Sequence, residues 1–322
     1  MSALARFANH PLTRRIARSL FVVWVAMTLV FVLTNLIGDP AVATLGPRAH
    51  ASQVAEFRAA HGLDRPFLAQ YASYFGGILR GDLGRSFRDD QPVLDVVLVR
   101  LPRTVMLGLM AMAIELLIGV TIGVLAALRR NTLLDTLLMS LALLGVSSPS
   151  FLLGLVMLQL FAFRLGWFPV GGYGTTPLEH LGHAFLPALT LAILGAATYA
   201  RILRAEMIET LRADYVRTAR ARGLSRGRVV IAHALRNAIL PIITLVGMSL
   251  PSLVGGAIVT ESIFGWPGMG RLAIEAIYAL DIPILLGVVL MSAITVQVGN
   301  LLADLAVARI DRRVKPGDDT RH

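Results

Sequence analysis

Nine arginines lie between Arg201 and Arg236, and the densest part, Asp214 to Pro241, reads DYVRTARARGLSRGRVVIAHALRNAILP. Guanidinium groups at this spacing carry fixed charge and forked donors that suit acidic partners. This polar stretch interrupts two long apolar segments, so it is built to meet something in the aqueous phase. A second chemistry-bearing residue is Glu115, an acid inside an otherwise apolar run from Arg103 to Arg129. An ionisable group at that depth is costly and is a functional candidate by default. It either lines a transport path or sits neutral and hydrogen-bonded at a helix contact. Gln159, Gln297, Asn300 and Asp304 are weaker candidates of the same kind.

Other chemistries find no residues to carry them. There is no cysteine, hence no disulfide and no thiol chemistry. The histidines at 10, 50, 61, 180, 183, 233 and 322 are scattered, which argues against a metal cage. His180 and His183 sit three apart and read as a polar pair at the rim of a span, because a metal site needs further ligands. A phosphate-binding loop of the Gly-x4-Gly-Lys-Ser/Thr type needs a lysine, and the sole lysine, Lys315, is followed by Pro316 in the tail. No HExxH motif or nucleophile–base set is present. The expectation is a chain with no catalytic residue, no metal site and no cofactor of its own.

The elements that position these residues are membrane helices. The 322 residues are 56% hydrophobic and 16% charged, with a mean hydropathy of +0.70; soluble proteins carry about 25% charged residues. Six apolar stretches reach the roughly 20 residues that a helix needs to cross a bilayer. They run over 20–38, 104–128, 136–163, 184–203, 238–260 and 282–305. The runs do not alternate, so helices and not a barrel are expected. Thr13-Arg14-Arg15 precedes the first run, but that run is too long for a signal core and lacks a clear cleavage site. It reads as an uncleaved first span.

Arginine placement sets orientation. With the N-terminus inside, the cytoplasmic side holds 20 basic residues and the outer side 10. The outer stretch from Asp39 to Arg103 mixes eight arginines with seven acids and is nearly neutral. Both termini are then cytoplasmic, and the net charge of +10 reflects membrane orientation and not nucleic-acid binding. The organisation expected is a cytoplasmic arm (1–19), a first span (20–38) and an extracytoplasmic segment (39–103) of short helices. A five-helix core (104–305) with a cytoplasmic loop (204–237) and a cytoplasmic tail (306–322) follow. Pro149, Pro187, Pro241, Pro251 and Pro283 lie in or beside spans and are expected to bend them.

Within the basic loop, Leu203, Met207, Ile208, Leu211, Tyr215 and Ala219 fit one face of a helix over 202–222. Gly223 is placed to end it, and Ser225 to cap a second helix that runs through Arg236 and Asn237 into the fifth span. Pro241 should then fix a bend. Such a loop is a solvated positive-inside connection, a helix-turn-helix DNA reader, or a docking element for a cytoplasmic protein. The DNA reading is weak, because the second helix offers few base-reading side chains and is tied to the bilayer at both ends.

The segment resembles the EAA loop of permease subunits of bacterial ABC importers. That pattern has Glu-Ala-Ala, three residues, Gly and a distal Pro; here Arg217-Thr218-Ala219 precedes Gly223 and Pro241. The replaced Glu and first Ala look like the dipeptide/oligopeptide/nickel branch. GLDRP (62–66), GDLGRSF (81–87), LPRT (101–104), SSPSF (147–151), LGWFP (165–169), FLPALTL (185–191) and ESIFGWPGMG (261–270) also look like that branch, so the resemblance covers nearly the whole chain.

The resemblance implies an all-α membrane protein of the type I ABC importer permease kind in the bacterial inner membrane. It implies a homologous second permease, two cytoplasmic ABC ATPases that bind the ATP and Mg, and an extracytoplasmic solute-binding protein. Asp214 to Gly223 would dock an ATPase. Tyr215 and Ala219 would pack there, flanking Arg217 and Thr218, and Arg217 and Arg220 would pair with acids. Arg236, Asn237 and Pro241 would transmit the motion. The outer segment 39–103 and the loop 261–281 would contact the binding protein or the partner permease. Short peptides are the implied substrate class; nickel complexes, glutathione and some sugars stay open. The alternative is a self-sufficient ion-coupled transporter using Glu115.

Overall fold

The computed structural model describes residues 11–249 and 257–310. Residues 1–10 of the expected arm, 250–256 of the expected fifth span (with Pro251), and 311–322 of the expected tail lie outside the described residues. Among the described residues the backbone is helical, with no strand and one isolated bridge between Arg85 and Pro92.

The first helix, α1 (Pro11–Ile37), opens on a proline, which the first turn accepts because its N–H has no helical partner. Three short helices follow: α2 (Pro40–Leu45), α3 (Ala51–Ala60) and α4 (Phe67–Ile78). Asp39 caps α2 by accepting from the Ala41 N–H at 3.0 Å. The Arg58 guanidinium beside Asp39 holds its carboxyl below the ordinary value, against the opposing effect of burial. The long α5 (Val93–Leu128) absorbs Pro102 in its second half-dozen positions without ending. Then come α6 (Leu133–Ser147), α7 (Ser150–Arg164, closing in a π-helical turn from Leu158), and α8 (Pro177–Thr210). The basic loop holds α9 (Asp214–Ala221) and α10 (Arg226–Ala238), with a π-helical stretch over Val229–Leu235. The chain ends through α11 (Leu240–Ser249), α12 (Ile258–Ile263), α13 (Met269–Ala279) and α14 (Ile282–Ile310).

Four of these helices are long and apolar enough to cross a membrane as single rods: α1, α5, α8 and α14. Two bent helix pairs are apolar enough to make up a crossing each if the two members are taken together. α6 and α7 meet at 109°, and α10 and α11 at 48°. The expected third span, 136–163, is therefore broken in the middle. Its cause is local: Pro149 drives Ser148 out of the helical region, to φ −82° and ψ 132°. Pro241 stands second in α11, after the bend, where a helix accepts proline. Pro187 lies inside α8, which continues to Thr210.

The chain divides into two compact units. One takes the chain up to Thr104 together with Pro267–Gly299. Its core joins Met27, Phe31, Val93, Val97, Met269, Ile284 and Leu286. Phe31 meets Phe67, Tyr71 and Tyr74 at ring-centroid distances of 5.4, 5.5 and 6.0 Å. The turn before α14 is pinned by Asp281, a buried carboxylate. It accepts from Ser86 Oγ, from the Phe87 N–H at 3.2 Å and from the Ile284 N–H at 3.4 Å. Removing it strands buried donors, each costing about 1–3 kcal/mol. Asp281→Ala is expected to destabilise by about 2–4 kcal/mol, with Asp281→Asn intermediate because it keeps one acceptor. Scanning fluorimetry in detergent would show this as a graded loss of melting temperature; equal melting for all three proteins would refute it.

The second unit takes Val105–Trp266 with the chain from Asn300. Here α6 packs along α8, and α8 also meets α7, α11 and α12. α5 approaches α8 through Gly119 and Gly123, which face the backbone at Ala196 and Ala200.

Candidate functional site

The basic loop is built on the foot of α8. Leu203 and Met207 are fully buried there, in one cluster with Ala127, Val230, Ala234, Ala238 and Ile242. α8 stops at Thr210, and residues 211–213 make a tight turn closed by Arg212 N–H to Glu209 O and Ala213 N–H to Thr210 O. This turn changes the phase of the helix expected over 202–222. On α9 the buried residues are Val216 and Ala219, which meet Val229, Leu211 and Leu224. Tyr215, expected on the apolar stripe, is 44% exposed. Ala219, expected to pack on a partner, is 6% exposed and is used inside the chain.

Gly223 ends α9 by a Schellman motif, a paired closure that satisfies two orphan carbonyls. Its N–H bonds Arg220 O at 2.9 Å, and the Leu224 N–H reaches Ala219 O at 3.4 Å. Gly223 has φ +79°, the region that favours glycine. A Cβ there would meet nothing within 4 Å, so the demand for glycine is conformational and not steric. Ser225 precedes α10 but makes no side-chain capping bond; α10 is held by its buried valines instead.

The outward surface of α9 carries Asp214, Tyr215, Arg217, Thr218 and Arg220, all exposed. Asp214 in the first turn and Arg220 in the last suit the helix dipole. Arg217 lies 3.5 Å from Asp214 with both side chains largely in solvent, an arrangement that contributes little by itself. Thr218 Oγ1 donates back to Asp214 O at 3.0 Å. Asn237 ties this surface to α10: its Nδ2 donates to Tyr215 Oη at 2.8 Å and to His233 O at 3.2 Å. Arg236 is exposed beside it, and Pro241 is half-buried at the start of α11. The structure thus gathers the loop residues singled out in the sequence onto one braced, charged helix and its support.

Glu115 is elsewhere. It is half-buried between α5 and α8, and its carboxylate occupies the space that a side chain at Gly195 would fill. Tyr199 of α8 lies beside it, with its hydroxyl 3.4 Å from Ser249 Oγ. The acid thus sits at the contact of α5 with α8. His180 and His183 hold the loop before α8: their Nδ1 atoms pair with Tyr173 O at 2.7 Å and Gly171 O at 2.9 Å. The His180 ring also stacks on Tyr173 at 3.8 Å.

One constellation is invisible in the sequence. Asp135 at the start of α6 grips Arg204 of α8 side-on, with Nε to Oδ1 and Nη2 to Oδ2 both at 2.6 Å. The partners are 69 positions apart, and neither stands out from its neighbours in composition.

The fold and site define a multi-pass helical membrane protein that displays a braced basic helix. Comparison with known proteins narrows the class. Residues 119–316 match the family described as binding-protein-dependent transport system inner membrane component, and residues 8–108 match the N-terminal region of such membrane components. A protein of Brucella suis biovar 1 provisionally named as a peptide permease is 43% identical over 296 residues, spanning 89% of this chain and 93% of its own. The oligopeptide transport system permease protein AppB of Bacillus subtilis is 35% identical, with 86% and 90% covered. The glutathione transport system permease protein GsiC of Salmonella paratyphi A is 36% identical, with 90% and 94% covered.

The chain belongs to the binding-protein-dependent transport system inner membrane component family. It is a multi-pass inner-membrane permease subunit of an ABC importer, working with ATPase and solute-binding partners. That is the first of the two readings above, and nothing in the comparisons favours the self-sufficient ion-coupled transporter.

Proposed function

We propose that this chain forms half of a translocation pathway for short peptides or related solutes, and that residues 214–241 couple it to a separate ATPase. The relatives named for oligopeptide and glutathione transport support this substrate class. In this reading a homologous second permease supplies the other half. Two cytoplasmic ATPases bind the ATP and Mg, and an extracytoplasmic binding protein delivers the solute to 39–103 and 261–281.

The observation that carries the coupling role is the division of α9 into two faces. Val216 and Ala219 seat it on α10 and the foot of α8, while Asp214, Tyr215, Arg217, Thr218 and Arg220 are left for an acidic or polar cleft. A helix seated this way passes a push to its support. Asn237, bonded to Tyr215, and Arg236 lie on the element that continues through the 48° bend just before Pro241 into the membrane. Glu115 serves as a helix contact between α5 and α8 in this reading.

The test is co-purification from membranes in mild detergent, with ATPase activity as the readout. Gly223→Val forces a β-branched residue into the left-handed region, at a cost of about 1–2 kcal/mol. It should lower the recovered ATPase by roughly tenfold while the chain still inserts. Gly223→Asn, which tolerates that region better, should retain most of it. Wild-type chain recovered intact with no ATPase would overturn the coupling role.

A further inference from the structure

We infer that the Asp135–Arg204 pair is a positioning strut that makes the α5–α6 turn and the start of α6 move with the docking helix. The inference rests on the coupling role proposed for α9. Asp135 is 5% exposed at its side chain and Arg204 26%. A forked contact onto a buried carboxylate holds orientation as well as distance. The same carboxylate closes the turn below it. Asp135 Oδ2 also accepts from the Asn131 N–H at 2.9 Å. Asn131 is left-handed, at φ +60°, and Thr132 caps the first turn of α6. Three donors from two elements thus converge on one acid.

The position of Arg204 gives the pair its mechanical meaning. It lies in the last two turns of α8, between the buried Leu203 and Met207 that seat the loop. A displacement of α9 passes to α10 through Val229 and Asn237, and along the chain it enters α8 at Thr210, within two turns of Arg204. From there the strut passes it to α6, which packs along α8 and leads to the 109° break before α7. The rest of the α6–α8 contact is side-chain packing, as where Gly145 meets Ile193, and the strut adds a bond with a fixed direction. The pair therefore sets whether the broken membrane element follows the ATPase or lags behind it.

The experiment uses the whole reconstituted complex in liposomes. It measures solute uptake per ATP hydrolysed, along with the amount of ATPase bound. Arg204→Lys keeps the charge and removes the fork. It should leave the bound ATPase near the wild-type level and lower uptake per ATP by about tenfold. Because the chain has no cysteine, the double variant Asp135→Cys/Arg204→Cys can be bridged by a short reversible bis-thiosulfonate linker. Uptake per ATP should be low before bridging, recover on bridging, and fall again on reduction. Unchanged uptake per ATP in Arg204→Lys, or no recovery in a fully bridged sample, overturns the strut. Loss of the folded complex in both variants also overturns it, by making the pair a folding element only. Failure of the underlying coupling role shows separately, as wild-type chain that binds no ATPase.

Discussion

Leucine at both Gly119 and Gly123 is expected to abolish the folded chain in the membrane. A Cβ at Gly119 would lie 2.9 Å from Ala196 O and 2.8 Å from Tyr199 Cβ. One at Gly123 would lie 2.9 Å from Ala200 O and 3.0 Å from Leu203 Cβ. The obstacles are α8 backbone and Cβ atoms, whose places no side-chain rotation changes. Overpacking of this kind costs about 1–3 kcal/mol per site and more where a helix must shift. Lipid adds to the effect, because helices in a bilayer associate through close packing and not through exclusion of water. Even the single alanine variants should lower the melting temperature. Gly182→Ala is the control in α8: nothing lies within 4 Å of its Cβ position, and alanine is the better helix former. It should be neutral or mildly stabilising. The readout is the monodisperse fraction in size-exclusion chromatography of solubilised membranes. A double-leucine variant eluting like the wild type would mean that α5 and α8 do not cross here.

Trp266→Ala should cost about 3–5 kcal/mol, in the range of large aromatic truncations. Trp266 is fully buried, in a cluster with Leu107, Ala111, Ala184, Ala188 and Ala257. Its small neighbours offer little volume to collapse into the space left behind, so most of the lost contact energy stays lost. Tyr173 meets its ring edge-on at 5.0 Å, and His180 stacks on Tyr173 from the other element. The variant should therefore melt earlier and also expose the 165–175 loop to protease. Trp266→Phe should recover much of the stability. If Trp266→Ala melts as the wild type does, the loop is held by other contacts.

Much of the candidate site is legible in the sequence alone. The long apolar runs and the arginine distribution follow from bilayer thickness and charge alone, and they do not depend on which helix touches which. The stop at Gly223 was legible because a left-handed closure is a local demand. The proline at 149 announced a break, although its 109° angle was not readable. The helical face was misread at Tyr215, because the turn at 211–213 shifts the phase and carries no Gly or Pro to announce it.

What only the tertiary structure decided is pairing at distance. Asp135 with Arg204, Glu115 against Gly195 and Tyr199, and His180 and His183 on the carbonyls of Tyr173 and Gly171 each join different parts of the chain. Local patterns record what a residue needs from its neighbours in sequence: a cap, a turn, an apolar environment. They hold no record of which partner meets that need once helices pack, because the same acid or histidine is satisfied by any donor or acceptor the fold brings near. The sequence by itself determined a multi-pass inner-membrane permease with a basic helix between apolar segments. The packing of α9 against α10 and the turn after α8 decided where that helix is braced.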